Sequence, residues 1–390
     1  EFAGFVLLVM AKRPSLLPLR YVFWFGCRLL ILLSVLFGII AFTRLRSQPD
    51  PSPLLASRRS RVFLTSYEGF PKIAFLFLAR RDLPLDFLWD AFFQNADAGR
   101  FSIYVHSKPG FAFNEATSKS RFFYGRQLKN SVKVAWGESN MIEAERLLLA
   151  AALEESANQR FILLSDSCVP LYNFNYIYNY VMASPRSFVD SFLDAKQDRY
   201  NPKMSPVIPK NKWRKGSQWI TLVRGHAEVV VDDEAVFPVF KKHCKRRPPV
   251  DATKGKKYIE LQQQQHNCIP DEHYVSTLLS MCGLENELER RTLTYTSWNP
   301  SATNMEKKGW HPLTFEYKSA SPRRINQIKE MEWESYEAES RTERCKTNST
   351  LSRCYLFARK FSHGAAVRLL EDGSVGPFDP VSALGGTIQN

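Results

Sequence analysis

The alternation of short apolar runs with helical segments, from residue 72 onward, most constrains the fold of this chain. Residues 72–79 are almost wholly apolar, a pattern typical of a strand buried on both faces. Residues 84–95 favour a helix with proline in its first turn. The full set of predicted strands is 72–79, 101–106, 132–136, 161–164, 219–223, 293–297 and 354–361, with helices at 84–95, 141–155, 228–243 and 271–281. This alternation predicts an α/β domain with a parallel sheet and ligands at the carboxyl ends of its strands.

An apolar segment near the start of the chain predicts a membrane anchor. Residues 21–43 contain one charge, Arg28, and a bilayer requires about 20 residues. The uninterrupted run after Arg28 is shorter, so a signal-peptide core or a buried helix stays open as an alternative. We predict a cytoplasmic tail at 1–20, a transmembrane signal anchor at 21–43, a proline-containing stem at 44–70 and a lumenal catalytic domain at 71–390.

Charge and cysteine content indicate the class of ligand and the compartment. Lys and Arg total 53 against 39 Asp and Glu, a net charge of +14, which suits nucleic acid, a membrane surface or nucleotide phosphates. Cys345 and Cys354 flank Asn348, which lies in the one N-x-S/T motif of the chain. We expect a short disulfide loop with a glycan on Asn348, and therefore a lumenal domain. Buried free thiols in a cytosolic protein are the alternative.

Seven motifs in a fixed order carry a resemblance to a known family. They are IAFLFL at 73–78, YVHSK at 104–108, LLSDSCVPL at 163–171, GSQW at 216–219, PDEHY at 270–274, YTSW at 295–298 and LFARKF at 356–361. Together they resemble the core-2/I-branching β-1,6-N-acetylglucosaminyltransferase-like family, in particular its plant branch. The resemblance covers about residues 72–361.

The resemblance implies a variant of the GT-A nucleotide-sugar fold and a Golgi enzyme that acts with inversion and without a divalent metal or other cofactor. Its donor would be a UDP-sugar carrying N-acetylglucosamine, xylose or glucuronic acid. Its acceptor would be a glycan or glycoprotein, including those of the plant cell wall. Oligomers of this chain, or with other transferases, stay open. A catalytically inactive Golgi protein that binds glycans or organises transferases is the alternative, and a nucleic-acid-binding protein is a third interpretation, disfavoured by the anchor.

The resemblance places one catalytic residue, Glu272. An inverting transfer requires a carboxylate that accepts the proton of the attacking hydroxyl, and Glu272 matches the family's catalytic glutamate. It lies in the first turn of a predicted helix, where the helix dipole stabilises negative charge. Asp271 is expected near the N-cap of the same helix. The alternative is that both acids only cap the helix.

The leaving diphosphate requires cationic side chains when no metal is present. Lys360 matches a family lysine that contacts the diphosphate. Arg359 would point away from Lys360 in a strand and is expected to be a solvated surface charge. A second family arginine has Arg323, Arg324 and Arg341 as candidates here.

Asp166 is the single acid at a strand end where many GT-A enzymes have Asp-x-Asp. This matches the metal-free pattern of the family, and Asp166 could hold acceptor, ribose or a neighbouring loop, or serve only in the turn.

The remaining predicted substrate contacts are less specific. Lys196 and Arg199 keep the spacing of the family's acceptor loop, with Asp190 at an offset acidic position. Trp298 matches an aromatic residue near the acceptor sugar, and core packing is its alternative. Gly137 and Glu138 are expected to border the nucleotide.

Overall fold

A computed structural model describes residues 19–46, 67–195, 199–247, 267–298, 312–336 and 339–373. The chain divides into two compact units, residues 1–56 and 57–390. The predicted tail at 1–20, most of the stem at 44–70, and Lys196 lie wholly or largely outside the described residues.

The first unit contains helix α1, Leu19–Arg46, which covers the predicted anchor. In the part of the chain that the structure describes, no helix combines the length and apolar character needed to cross a membrane. The anchor at 21–43 therefore stays a prediction.

The second unit is a mixed α/β domain. Its remaining helices are α2 Asp86–Gln94, α3 Asn140–Leu153, α4 Phe174–Ala183, α5 Arg224–Val231, α6 Val236–His243, α7 Tyr274–Met281, α8 Pro322–Lys329 and α9 His363–Glu371. Its strands are β1 Lys72–Leu78, β2 Phe101–His106, β3 Asn158–Ser165, β4 Val169–Pro170, β5 Ser187–Phe188, β6 Thr221–Val223, β7 Leu288–Glu289, β8 Thr294–Thr296, β9 Trp333–Tyr336, β10 Arg341–Arg344, β11 Lys346–Thr347, β12 Thr350–Leu351 and β13 Phe357–Arg359.

The central sheet has six strands in the order β2-β1-β3-β6-β5-β7. β1 is parallel to both β2 and β3, as predicted. β6 is antiparallel to β3 and to β5, so the expectation of a purely parallel sheet is wrong. A smaller sheet in the order β4-β13-β8 places β13 between two strands from much earlier in the chain.

Two other predicted elements differ from the structure. Residues 132–136 form no strand, because the Val132 amide donates to His106 Nε2 at 3.0 Å rather than to a neighbouring strand. The helix predicted at 228–243 is divided into α5 and α6. Asp233 lies between them, and its carboxylate accepts from the amides of Ala235, Val236 and Phe237, which starts the second helix.

Aromatic residues of α2 pack against aromatic residues of β1, inside the central sheet. Phe75 lies 5.2 Å from Phe93, and Phe77 lies 5.0 Å from Trp89, in edge-to-face pairs of ring centroids. Trp89 Nε1 donates to the Cys168 carbonyl at 3.2 Å, so its polar atom is satisfied in the core. Truncation of a buried aromatic residue of this kind costs about 3–5 kcal/mol.

Two disulfides join cysteines of the second unit. Cys345 pairs with Cys354, as predicted, and Cys244 pairs with Cys268. The first pair closes the β11–β12 hairpin, with Asn348 exposed in its turn. The Cys345–Cys354 pairing therefore presents the sequon on the surface.

Candidate active site

A cavity of about 2070 Å³ opens where β1, β2 and β3 end. Arg80 follows β1, Ser107 follows β2 and Asp166 follows β3, and all three line it. Glu272 and Lys360, from later parts of the chain, line the same cavity. Sheets of this kind bind ligands at the carboxyl ends of their strands, so this cavity is the candidate active site.

Glu272 lies in a single 3-10 turn, Pro270–Glu272, directly before α7. Its carboxylate accepts a hydrogen bond from Arg199 Nη1 at 2.5 Å, and both side chains are largely buried. Its backbone carbonyl accepts from the Gly216 amide at 2.8 Å. Glu272 is therefore held at the cavity wall from both its side chain and its backbone.

Asp271 does not cap α7, contrary to the expectation for an acid at this position. His273 is the N-cap residue and makes no capping bond with its side chain, while Asp271 is buried beside Glu272. Asp271 Oδ1 has no hydrogen-bond partner among the described residues. Burial, followed by the charge of Glu272, raises the pKa of Asp271 to about 7.

A second buried acid lies behind this pair. Glu145 of α3 accepts from Gln218 Nε2 at 2.7 Å. Burial, and then the charge of Asp271, raises the pKa of Glu145 well above its usual range. Burial and the neighbouring charge of Asp271 therefore both favour the protonated form of the Glu145 carboxyl.

Asp166 is buried and pairs with Arg80, whose Nε donates to Oδ2 at 2.8 Å. The Arg80 side chain is 85% exposed, so the pair presents a cation to the cavity opening and buries its carboxylate. Arg80 was not predicted. The only feature of the sequence that points to Arg80 is its position just after a predicted strand, and Asp166 has the same kind of position after a different strand.

Lys360 and Arg359 both line the cavity. Burial lowers the pKa of Lys360, and the nearby charges of Arg359 and Arg80 lower it further. The prediction of Arg359 as a solvated surface charge is wrong, because β13 is the central strand of its sheet and ends at this residue. The Arg359 guanidinium lies 4.2 Å from the centroid of the Trp219 ring.

The three arginines weighed as a second diphosphate contact lie outside the cavity lining. Arg324 donates to Tyr295 Oη at 3.3 Å, and Arg341 pairs with Glu343 at 2.5 Å. Arg323 is exposed on α8. The neighbours of Lys360 are instead Arg359 and Arg80.

Among the predicted acceptor contacts, Arg199, Trp298 and Asp190 line the cavity. Trp298 is 52% exposed, which places its ring on the rim and not in the core. Lys196 lies outside the described residues.

Gly137 and Glu138 lie outside the cavity lining. Gly137 has a φ of +78°, and a Cβ on it would overlap the Arg246 side chain, so glycine is required there. Glu138 pairs with Lys245 at 2.5 Å. Both residues therefore contact the segment that follows Cys244, and their predicted contact with a nucleotide stays a prediction.

Two cavity acids come from segments far apart in the sequence. The Asp190 carboxylate accepts from the Ser217 amide at 3.2 Å, and the Glu334 carboxylate accepts from the Tyr355 hydroxyl. Burial, and then the charge of Glu334, raises the pKa of Asp190 to about 7. Glu334 had no sequence signal, because its strand, β9, contains no motif of the resemblance.

No three His, Cys, Asp or Glu side chains in the described ranges are grouped as metal ligands. The predicted absence of a metal stays a prediction.

Comparisons with known proteins agree on a family. The family model for "Branch: Core-2/I-Branching enzyme" matches residues 73–329. Glycosyltransferase BC10 of Oryza sativa subsp. japonica is 53% identical over 316 residues, which covers 78% of this chain and 77% of that relative. Among solved structures, the galactosyltransferase LgtC with donor and acceptor sugar analogs aligns at 8% identity and a TM-score of 0.33, over 73% of this chain and 86% of that one. An active-site mutant of LgtC aligns at 8% identity and a TM-score of 0.32, over 77% of this chain and 95% of that one. TM-scores this low assign no fold.

Proposed function

The chain belongs to the core-2/I-branching enzyme family and is a glycosyltransferase, and from this premise we propose that it transfers a sugar from a UDP-sugar to a glycan or glycoprotein with inversion. The donor sugar is N-acetylglucosamine, xylose or glucuronic acid, and the fold is a GT-A variant. One observation carries the proposal: Glu272 and the Arg80–Arg359–Lys360 cations line one cavity.

In the proposed reaction, Glu272 is the general base. The acceptor oxygen attacks the anomeric carbon as the bond from that carbon to the diphosphate oxygen breaks. The hydroxyl proton passes to the Glu272 carboxylate, and UDP departs with the electron pair. Arg199 holds the carboxylate at 2.5 Å, which fixes its orientation before the acceptor arrives.

In this proposal, cationic side chains rather than a metal ion stabilise the negative charge that develops on the leaving diphosphate. Lys360 is close enough to Arg80 for the Arg80 charge to lower the pKa of Lys360, and both side chains line the cavity. A dianionic group between them would relieve this repulsion and be bound tightly. Arg359, stacked on Trp219, adds a third positive charge to the same region.

We also propose a Golgi location, as a single-pass type II membrane protein anchored by residues 21–43 with the second unit in the lumen. The two disulfides favour an oxidising compartment. The exposed Asn348 turn is accessible to glycosylation. Expression in plant cells should give a protein whose mass falls on glycosidase treatment, whereas Asn348→Gln should show no such change. An unglycosylated wild-type protein with reduced cysteines would contradict the lumenal location.

The catalytic proposal is tested by UDP release from the purified full chain. UDP-N-acetylglucosamine, UDP-xylose and UDP-glucuronic acid are each offered with mixed cell-wall and glycoprotein acceptors, with and without EDTA. We expect acceptor-dependent release that survives EDTA and falls at least tenfold in Lys360→Gln. Lys318→Gln, which removes an exposed lysine, is the matched control and should release UDP at the wild-type rate.

Two results would contradict parts of the proposal. Loss of activity in EDTA with recovery on adding Mn²⁺ would overturn the metal-free mechanism. Absence of release with every donor, together with no measurable UDP binding, would favour the alternative of an inactive glycan-binding or scaffold protein.

A further inference from the structure

Basic side chains lie together at the end of α6, next to the cavity but outside its lining. Two come from the last turn of α6, three follow the helix and one belongs to the 3-10 turn Pro202–Met204. This turn adjoins the helix because the Asn201 side chain donates to the His243 carbonyl at 3.2 Å. We call this set the α6 basic surface, and its members are Lys203, Lys241, Lys242, Lys245, Arg246 and Arg247.

The positive charges of this surface are only partly neutralised. Two of its lysines pair with Glu138 at 2.5 Å and with Glu143 at 3.3 Å. Lys203 and Lys242 are exposed and have no ion-pair partner within the described ranges. Burial, and then the charges of Lys242 and Lys203, lower the pKa of His243, so both lysines act on the same small region. An anion bound across them would relieve this repulsion.

The helix dipole explains only part of this charge. A helix C-terminus favours cations in its last turn, which suits Lys241 and Lys242. Lys203 belongs to a different element, and residues 245–247 lie beyond the helix, where the effect of the dipole has fallen off. Positive charge that converges from three segments on one face is typical of a surface that binds anions.

The segment after α6 is fixed beside the cavity. The Cys244–Cys268 disulfide holds its start, and the Cys268 amide donates to the Lys245 carbonyl at 3.1 Å. The Arg247 amide donates to Asn267 Oδ1 at 2.8 Å, and Asn267 lines the cavity. The backbone of this surface is therefore ordered before a ligand arrives, which lowers the entropy cost of binding.

An aromatic side chain connects the α6 basic surface to the cavity. The Arg246 amide donates to the Gly137 carbonyl at 2.8 Å, and the Arg246 guanidinium lies 3.9 Å from the centroid of the Trp136 ring. Trp136 lines the cavity and is 38% exposed, and Lys133 is exposed and lines the same cavity. A long ligand can thus extend from the cavity, past an aromatic ring, to the cations.

The cations of this surface are separate from those that we assign to the donor diphosphate. Arg80, Arg359 and Lys360 line the cavity, whereas no member of the α6 basic surface is among the described residues that line it. The anion bound here is therefore a different group from the diphosphate. The other ligand of the proposed reaction is a glycan, and a glycan built from uronic acids carries carboxylates, which lysine and arginine bind through charge-assisted hydrogen bonds.

We propose that the acceptor is an acidic polysaccharide whose uronic acid residues bind the α6 basic surface while its reacting sugar lies in the cavity. Trp136 packs against a sugar ring between these two places, and Lys203 and Lys242 bind carboxylates. This inference rests on the proposed function, because it takes the chain bound at the surface to be the acceptor of that reaction. It names the acceptor class, which the proposed function leaves open.

The binding test uses two oligosaccharides that differ only in charge. Size-fractionated oligogalacturonides carry a carboxylate on each sugar, and the same oligosaccharides after methyl esterification carry none. Dissociation constants of both forms for the full chain are measured by calorimetry at low and at physiological salt. Wild type should bind the acidic form at least tenfold more tightly than the esterified form, and this preference should shrink as salt rises.

Two double variants test whether the α6 basic surface is responsible. Lys203→Gln with Lys242→Gln removes two exposed cations and should weaken binding of the acidic form about tenfold. Lys119→Gln with Lys318→Gln removes the same charge from two exposed lysines outside both the cavity lining and the α6 basic surface, and binding should stay within twofold. Because all four lysines are exposed, both double variants should keep the wild-type melting temperature and affinity for UDP.

Initial rates of UDP release separate an acceptor from a chain that only adheres to the protein. The cell-wall acceptor mixture is divided by anion exchange into neutral and acidic fractions. Acceptor-dependent release should follow the acidic fraction, and Lys203→Gln with Lys242→Gln should raise the KM for that fraction about tenfold with kcat unchanged.

Three results would overturn the assignment. Acceptor activity confined to the neutral fraction, or an equal loss of binding in both double variants, would overturn it while the proposed function stands. Binding to phosphatidylserine vesicles that depends on Lys203 and Lys242, without binding to oligogalacturonides, would make the surface a membrane contact instead. If wild type neither binds UDP nor releases it from any donor, the proposed function fails, and the acceptor assignment fails with it.

Discussion

Replacing Glu272 by glutamine separates a catalytic carboxylate from one that only pairs with arginine. A positioned general base contributes about 10²–10⁴ in rate, or about 3–5 kcal/mol of barrier. Glutamine keeps the shape of the side chain and can still accept from Arg199, but it cannot take the acceptor proton. We therefore expect kcat to fall at least a hundredfold, with the affinity for UDP unchanged.

The chain contains a closely matched control for this variant. Glu285 accepts from Arg214 Nε at 2.6 Å, and their exposed fractions are 27% and 14%, against 27% and 13% for Glu272 and Arg199. Glu285 does not line the cavity. Glu285 also accepts from Arg214 Nη2 and Ser280 Oγ, so Glu285→Gln should cost at least as much unfolding free energy as Glu272→Gln and still leave kcat within about twofold of wild type.

The assay is initial-rate UDP release with saturating donor and acceptor, alongside thermal unfolding of each variant. The loss of a partly buried charged pair costs about 1–2 kcal/mol, and each kcal/mol lowers the melting temperature by about 2–4 °C in a domain of this size class. A kcat for Glu272→Gln within tenfold of wild type, about 1.4 kcal/mol, would refute the assignment of Glu272 as the base. An equal fall in Glu285→Gln would refute it too, since the effect would then follow from stability.

Three further perturbations have defined outcomes. Cys345→Ser with Cys354→Ser opens a short loop and should lower the free energy of unfolding by about 3 kcal/mol. The variant should melt below wild type but above reduced wild type, which loses the Cys244–Cys268 disulfide as well. Asp190→Asn should remove a pH dependence of stability. The Asp190 carboxyl has a pKa of about 7 in the folded protein against an ordinary 3.8, so between these values the folded state binds a proton that the unfolded state does not. The wild-type protein therefore loses stability as pH rises through this range, by about 4 kcal/mol at most, and the variant does not. Melting curves at pH 5 and pH 8 that shift in parallel for wild type and variant would contradict this. Trp298→Ala should raise the acceptor KM several-fold with an unchanged melting temperature, because its ring is half exposed on the rim, and a lower melting temperature with unchanged KM would indicate a packing role.

Much of the fold could be predicted because its early elements are local patterns. The apolar run that became β1 and the helix that became α3 carry their periodicity in their own residues. The antiparallel pairing of β6 with β3 joins segments about 60 residues apart and has no local signal. Residues 132–136 have strand composition, but a histidine side chain takes the Val132 hydrogen bond that a neighbouring strand would need.

The site residues also differ in whether the local sequence could predict them. Glu272 and Lys360 could be located because each lies in a motif of the family resemblance. The burial of Arg359 has no local signal, because it depends on β4 and β8, which flank β13 and come from distant parts of the chain. The pairing of Arg80 with Asp166 joins two strand ends whose proximity only the sheet order creates.

The central position of β13 in its sheet has a consequence for biosynthesis. β4 and β8 are translated long before β13, yet they are not hydrogen-bonded to each other and meet only through it. Until the ribosome has released residues 357–360, the growing chain has the Glu272 side of the cavity without the Arg359 and Lys360 side. Nascent chains truncated before this strand therefore lack the cationic side of the proposed donor site, and UDP should not stabilise them.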